Sequence, residues 1–259
     1  MNLTPWTGWI SRWSGVLLGI VICGMPTLTL ALEFKPSGRG VPGRREGAGT
    51  RAVAPPPRGI RGIPPAPSQP CIEGPVPLTA IMPQTNLGLT TAEFPRFFWF
   101  LPPTRAPLAE FKLVAVSGPT ANEIPIYVTQ FRLTGNSGLA SLALPKNAGL
   151  PPLVVGQDYR WSLTLICNPS NLQQNIGVDG VVQRVQPTAN LNRQLTGATA
   201  EQRLKVYAQN GLWFETLDTL AELWCARPQS TELAHAWQTL MQSVKLPAIA
   251  TQPPPQRCP

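Results

Sequence analysis

Histidine is almost missing from this chain, and carboxylates are few. The 259 residues hold one histidine and 13 acidic side chains. The single imidazole, His235, cannot build a multi-histidine zinc site. Any Ser-His-Asp arrangement would have to use it, and no nucleophile-elbow motif accompanies it. There is no Cys-x-x-Cys redox pair, glycine-rich phosphate loop or calcium loop. Charged residues make up 13% of the chain, too few for a coiled coil or a charge-extended chain. His235 reads as a helix-surface residue. A glycosidase needs two carboxylates facing across a cleft. Glu93 with Asp179 is the pair to consider, yet both stand beside turns and read as caps. Glu215, Asp218 and Glu222 have helical spacing and read as a solvated face. No catalytic residue, metal ligand or cofactor site is expected.

What the chain does have begins at its N-terminus. Arg12 is the only charge before Glu33. An apolar core from Val16 to Cys23 follows, then Pro26 and a small-residue end at Thr29-Leu30-Ala31. A basic flank, a short apolar core and small residues before the cut describe a secretory signal over residues 1–31. Gly24 and Pro26 break the core too soon for a membrane span. An uncleaved anchor is the alternative. Lipidation of Cys23 is disfavoured by Ile22, where such signals want a small residue. The expected compartment is the periplasm, the outer envelope or the exterior.

Residues 32–70 read as a tether, Pro-, Gly- and Arg-rich from 36 onward. Between Glu33 and Pro70 lie seven basic residues against two acids. So little apolar surface cannot offset the entropy of ordering. Arg39, Arg44, Arg45, Arg51, Arg58 and Arg61 are therefore candidates for contact with an anionic surface. The expected partner is an envelope protein or an anionic envelope polymer. Export argues against nucleic acid, and membrane contact would be peripheral at most.

From Cys71 to about residue 187 short apolar runs alternate with turn residues. The runs are Phe97–Leu101, Glu110–Val116, Ile126–Leu133, Gly138–Leu144, Tyr159–Cys167 and Gly180–Val185. This spacing predicts an antiparallel, immunoglobulin-like β-sandwich with Trp161 in its core. Phe97, Phe98, Trp99 and Phe100 must face both sides of one strand. Either both faces are buried, or Phe97 and Trp99 present a surface to a ligand such as a sugar. Residues 188–248 change to a helical period and form a C-terminal unit. Around Tyr207 to Trp224 it has a tetratricopeptide-like look, with Gly211 at a tight turn or close helix contact. A Pro-rich tail, 249–259, ends an α+β chain.

Without Cys23, four cysteines remain: Cys71, Cys167, Cys225 and Cys258. Of three possible pairings we favour Cys71 with Cys167, which open the sandwich and end its best strand, and Cys225 with Cys258.

Gly49-Thr50-Arg51 closes the basic tract. Then come Leu89-Thr90-Thr91-Ala92-Glu93 with Pro95, Tyr159-Arg160-Trp161, Cys167-Asn168-Pro169, and Tyr207-Ala208-Gln209-Asn210-Gly211-Leu212-Trp213. In this order they resemble an exported cyanobacterial family catalogued as domain of unknown function 928. The resemblance implies export and a cyanobacterial source, and transfers no activity or site residue. Two functions remain open: a non-enzymatic envelope or secreted protein mediating protein or cell-wall contact, and a carbohydrate-binding module or carbohydrate-active enzyme.

Overall fold

Alternation in Tyr159–Leu165 puts four large apolar side chains on one face of a strand, and these residues are almost wholly buried. The computed structural model describes residues 32–47, 71–116 and 124–252. The proposed signal peptide with Cys23, tract 48–70 with Arg51, Arg58 and Arg61, and segment 253–259 with Cys258 lie outside the described residues.

Among the described residues, eight strands form two sheets. They are β1 (Thr79–Ala80), β2 (Leu87–Thr90), β3 (Arg96–Leu101), β4 (Leu108–Ala115), β5 (Ile124–Arg132), β6 (Gly138–Ala143), β7 (Asp158–Ile166) and β8 (Ile176–Arg184). The smaller sheet has the order β1-β3-β6 and the larger β2-β8-β7-β4-β5. Every pair is antiparallel except β2 with β8, which is parallel. The fold is thus α+β with two mostly antiparallel sheets. The predicted strands appear within a few residues of their expected ends, whereas β1 and β2 are too short to carry an alternation.

The aromatic run of β3 is buried on both faces, from Phe97 through Leu101. One face meets the larger sheet: Phe97 lies 5.1 Å from Phe111 and 5.4 Å from Trp161, ring centre to ring centre. Trp99 stacks over Phe111 and Phe131. The other face turns Phe98 toward Leu217, Leu220, Trp224 and Trp237. This strand is therefore covered on both sides, and its four consecutive aromatics are core residues.

Among the described residues five α-helices follow: α1 (Ala189–Leu195), α2 (Ala200–Gln209), α3 (Trp213–Ala226), α4 (Thr231–Ser243) and α5 (Pro247–Ala250). Thr188, Thr199 and Ser230 each accept a backbone N–H at a helix start, the usual solution for the unpaired first-turn donors. Gly211 forms the turn between α2 and α3 with φ +71°. The predicted tight turn is present. The helices share one continuous core with both sheets, and Phe214 of α3 reaches 5.3 Å from Phe97.

The tether reading is corrected over residues 32–47. This stretch is a strap bound to the fold. Leu32 and Phe34 are buried, and Phe34 packs edge-on against Trp213 at 4.7 Å. Lys35 donates its N–H to the Ala208 carbonyl. Farther along, Glu46 bridges to Thr79, and Gly47 donates to the Leu78 carbonyl, continuing the small sheet past β1. Two buried apolar side chains and a short ladder anchor the stretch, and both depend on residues distant in sequence.

Candidate functional site

The outer face of the larger sheet carries the side chains that alternate with its core. On β7 these are Arg160, Ser162 and Thr164; on β8 they are Gly177 and Asp179. Ser162 stands opposite Asp179, and Thr164 opposite Gly177. Directly opposed side chains are neighbours on one face. The strap passes along this face at Pro42, Gly43 and Arg44. Together these residues line an open, shallow groove of about 460 Å³.

Asp179 locks the strap to the sheet. Its Oδ1 accepts the Arg44 N–H at 2.9 Å, and its own N–H donates to the Arg44 carbonyl at 2.8 Å. The Arg44 side chain stays exposed. Beneath Gly43 lies Asn86, only 4% exposed, with a backbone φ of +55°. Neither polar atom of its amide has a partner among the described residues. A β-carbon on Gly43 would stand 1.7 Å from Asn86 Nδ2 and 2.6 Å from Asp179 Oδ2. Only glycine lets the strap lie this close, and the same contact places the Asn86 amide and the Asp179 carboxylate side by side.

The other arginines proposed for anionic contact are spent differently. Arg39 pairs with Asp158 at 2.7 Å, and that hydrogen bond raises its guanidinium above its ordinary range. Arg45 is partly buried and donates to the carbonyls of Met82, Val244 and Lys245. Burial lowers its pKa, opposed by nearby Glu46, yet a guanidinium keeps its proton in proteins. Two of these carbonyls, Val244 and Lys245, lie just past the end of α4. The Arg45 guanidinium is thus taken up by the fold, whereas Arg39 stays exposed beside its ion-pair partner.

Phe97 and Trp99 are 0% and 2% exposed. They cannot form a ligand platform, and that branch of the reading falls. Glu93 and Asp179 are not brought together. Glu93 pairs with Arg184 at 3.1 Å, five residues beyond Asp179 on β8. An odd offset points Arg184 and Asp179 to opposite faces, and five residues span about 16 Å of strand. Two catalytic carboxylates need about 5–10 Å. His235 is exposed on α4, as expected.

The solvated-face reading of the α3 carboxylates is also corrected. Glu215 Oε1 accepts from Thr90 Oγ1, the backbone and hydroxyl of Thr91, and the Ala92 N–H. Asp218 pairs with Arg96 at 2.7 Å. Glu215 ties α3 to the end of β2 and the turn after it, and Asp218 ties it to the start of β3. Glu222 alone of the three is exposed. Among the described residues no three His, Cys, Asp or Glu side chains converge to hold a metal.

Cys71 and Cys167 are disulfide-bonded, as favoured from the sequence. Cys225 is disulfide-bonded as well; its expected partner Cys258 lies outside the described residues. No described helix is long and apolar enough to cross a membrane.

Residues 46–254 match the family described as Domain of Unknown Function (DUF928). The chain belongs to that family. No curated protein matches it. The family match takes in most of the groove, including Arg160, Ser162, Thr164 and Asp179, and begins two residues after Arg44.

Proposed function

We propose that this DUF928 protein is an exported, non-enzymatic envelope or secreted protein that mediates contact with a protein or the cell wall, and that its contact surface is the groove on the larger sheet. The observation that carries the reading is the groove itself. It is open and lined by two arginines, two hydroxyls and a carboxylate, and the strap fixes one wall. An open polar trough suits an extended polymer or chain better than a small enclosed substrate. The disulfide agrees with an oxidising compartment. We further read the two sheets as an immunoglobulin-like sandwich, on the strength of Trp161 buried between them and the cysteine bridge at the end of β7; an experimental structure tests that topology.

The function is tested by sedimenting the chain from residue 32 onward with isolated envelope and cell-wall fractions. Wild-type protein should be retained. Thr164→Trp, which fills the groove with an indole, should release it while leaving the melting temperature within a few degrees. Retention by no fraction, or equal retention of the variant, overturns the reading.

A further inference from the structure

We propose that the apolar crevice between α3, α4 and the smaller sheet is a polyproline-binding site. Its occupant is this chain's own Pro253-Pro254-Pro255 run, held there by a disulfide between Cys225 and Cys258. The site stands apart from the groove on the larger sheet.

Among the described residues, apolar side chains alone line the crevice. Phe98 and Leu139 enter it from β3 and β6, Leu220, Ala221 and Trp224 from α3, and Trp237 from α4. Phe98, Leu220 and Trp237 are buried, whereas Trp224 is only half-buried, so part of its indole remains accessible. Aromatic-lined grooves are the usual seats of polyproline II segments, which are stiff before they bind and so lose little entropy.

Both ends of the proline segment meet this crevice. Trp237 Nε1 donates to the Ile249 carbonyl at 3.3 Å, which fixes α5 beside the crevice, three residues before Gln252. On the other side is Cys225, next to Trp224 in the last turn of α3 and four residues beyond Ala221. Residues four apart share a helix face. Cys225 is disulfide-bonded, and Cys71 and Cys167 hold each other. Of the five cysteines in the chain, this leaves Cys258, or Cys23 in the proposed signal peptide.

Length and charge favour Cys258. The six residues that follow Gln252, up to Cys258, reach about 19 Å as polyproline II. Packed helices lie about 8–10 Å apart. The segment can therefore cross from Trp237 on α4 to Cys225 on α3, with its prolines over the crevice. Arg257 precedes Cys258, and the exposed Glu222 stands three positions, about one helical turn, before Cys225. The bond brings these opposite charges to the same end of the crevice.

Peptide mapping without reductant, on the full chain made in an oxidising compartment, should recover the Cys225 peptide joined to the Cys258 peptide. Cys225 left free, or joined to Cys23, overturns the inference. Occupancy is read by acrylamide quenching of tryptophan fluorescence in the chain from residue 32 onward. Trp99, Trp161 and Trp213 are almost wholly buried, so Trp224 is the indole through which a quencher reports on the crevice. Wild-type protein should be shielded. Replacing all three prolines together, Pro253→Gly, Pro254→Gly and Pro255→Gly, keeps the cysteines and should remove that shielding, with emission moving to longer wavelength. In a Trp224→Phe background the same three substitutions should change nothing. Equal quenching of wild type and the glycine variant would show that the prolines do not cover the crevice, and a difference that persists without Trp224 would place them elsewhere. Either result overturns the inference.

Discussion

Gly211 shows how one residue can carry a packing decision. Its φ of +71° is a conformation that L side chains rarely adopt, and a β-carbon there would stand 2.8 Å from the Lys35 carbonyl oxygen. Gly197 has the same φ with nothing nearby. Gly197→Ala should therefore cost only the left-handed penalty, about 1 kcal/mol. Gly211→Ala should cost about 2 kcal/mol or more, since the strap backbone must also move. Equal losses in denaturant melts would mean that the strap does not press on this turn. Tyr207, on α2 just before this turn, gives a pH signature. Burial raises its phenol above the ordinary 10.0, and the negative charges of Glu215 and Glu222 act the same way. A raised acid pKa means the folded state holds the proton more tightly. Its stabilisation is complete below pH 10.0 and is lost as pH rises through the folded value. Tyr207→Phe should flatten the alkaline fall in stability; an identical slope would assign that fall to other groups.

Among elements, the strap was least legible. Residues 32–47 look like a soluble basic tail because their partners are remote: Arg45 reaches carbonyls as far as 199 and 200 positions away. Nothing in local composition reports such contacts, although Leu32 and Phe34, two apolar residues one apart at the head of a polar tract, were a hint. The strands of the larger sheet were readable because each alternates against one buried face. Strand β2, with four residues and a parallel partner, was not. Glu215 and Asp218 were misread for the reason that misled the strap reading, since a helical spacing of carboxylates does not reveal the turn they bind. The structural role of the strap makes a sharp expectation. Phe34→Ala should cost about 3 kcal/mol or more, the usual range for deleting a buried phenyl. Arg45→Met should cost about 1–3 kcal/mol, leaving the Met82, Val244 and Lys245 carbonyls without this donor. A tether would lose nothing, so unchanged melting of Phe34→Ala would restore the tether reading.

For the whole molecule, the decisive covalent feature is the Cys71–Cys167 bond, which joins positions 96 residues apart. The chain around Cys71 has other anchors. Ile72 bridges to Thr104, the Cys71 carbonyl accepts from the Arg105 N–H, and Glu73 pairs with Arg105. Because these contacts use backbone and neighbouring side chains, they survive removal of the two sulfurs. The native state of the Cys71→Ala, Cys167→Ala double variant should then stay close to the wild type, and the main change should fall on the unfolded chain. A cross-link that closes so long a loop stabilises by about 2–5 kcal/mol, chiefly by removing unfolded conformations in the chain-entropy account. Two readings separate this from a loss of native contacts. The midpoint of guanidinium unfolding should fall, and the slope of free energy against denaturant should rise, because the freed unfolded chain exposes more surface. A lower midpoint with an unchanged slope would place the loss in the folded state, and would mean that the strands on either side of the bridge need it to hold their register.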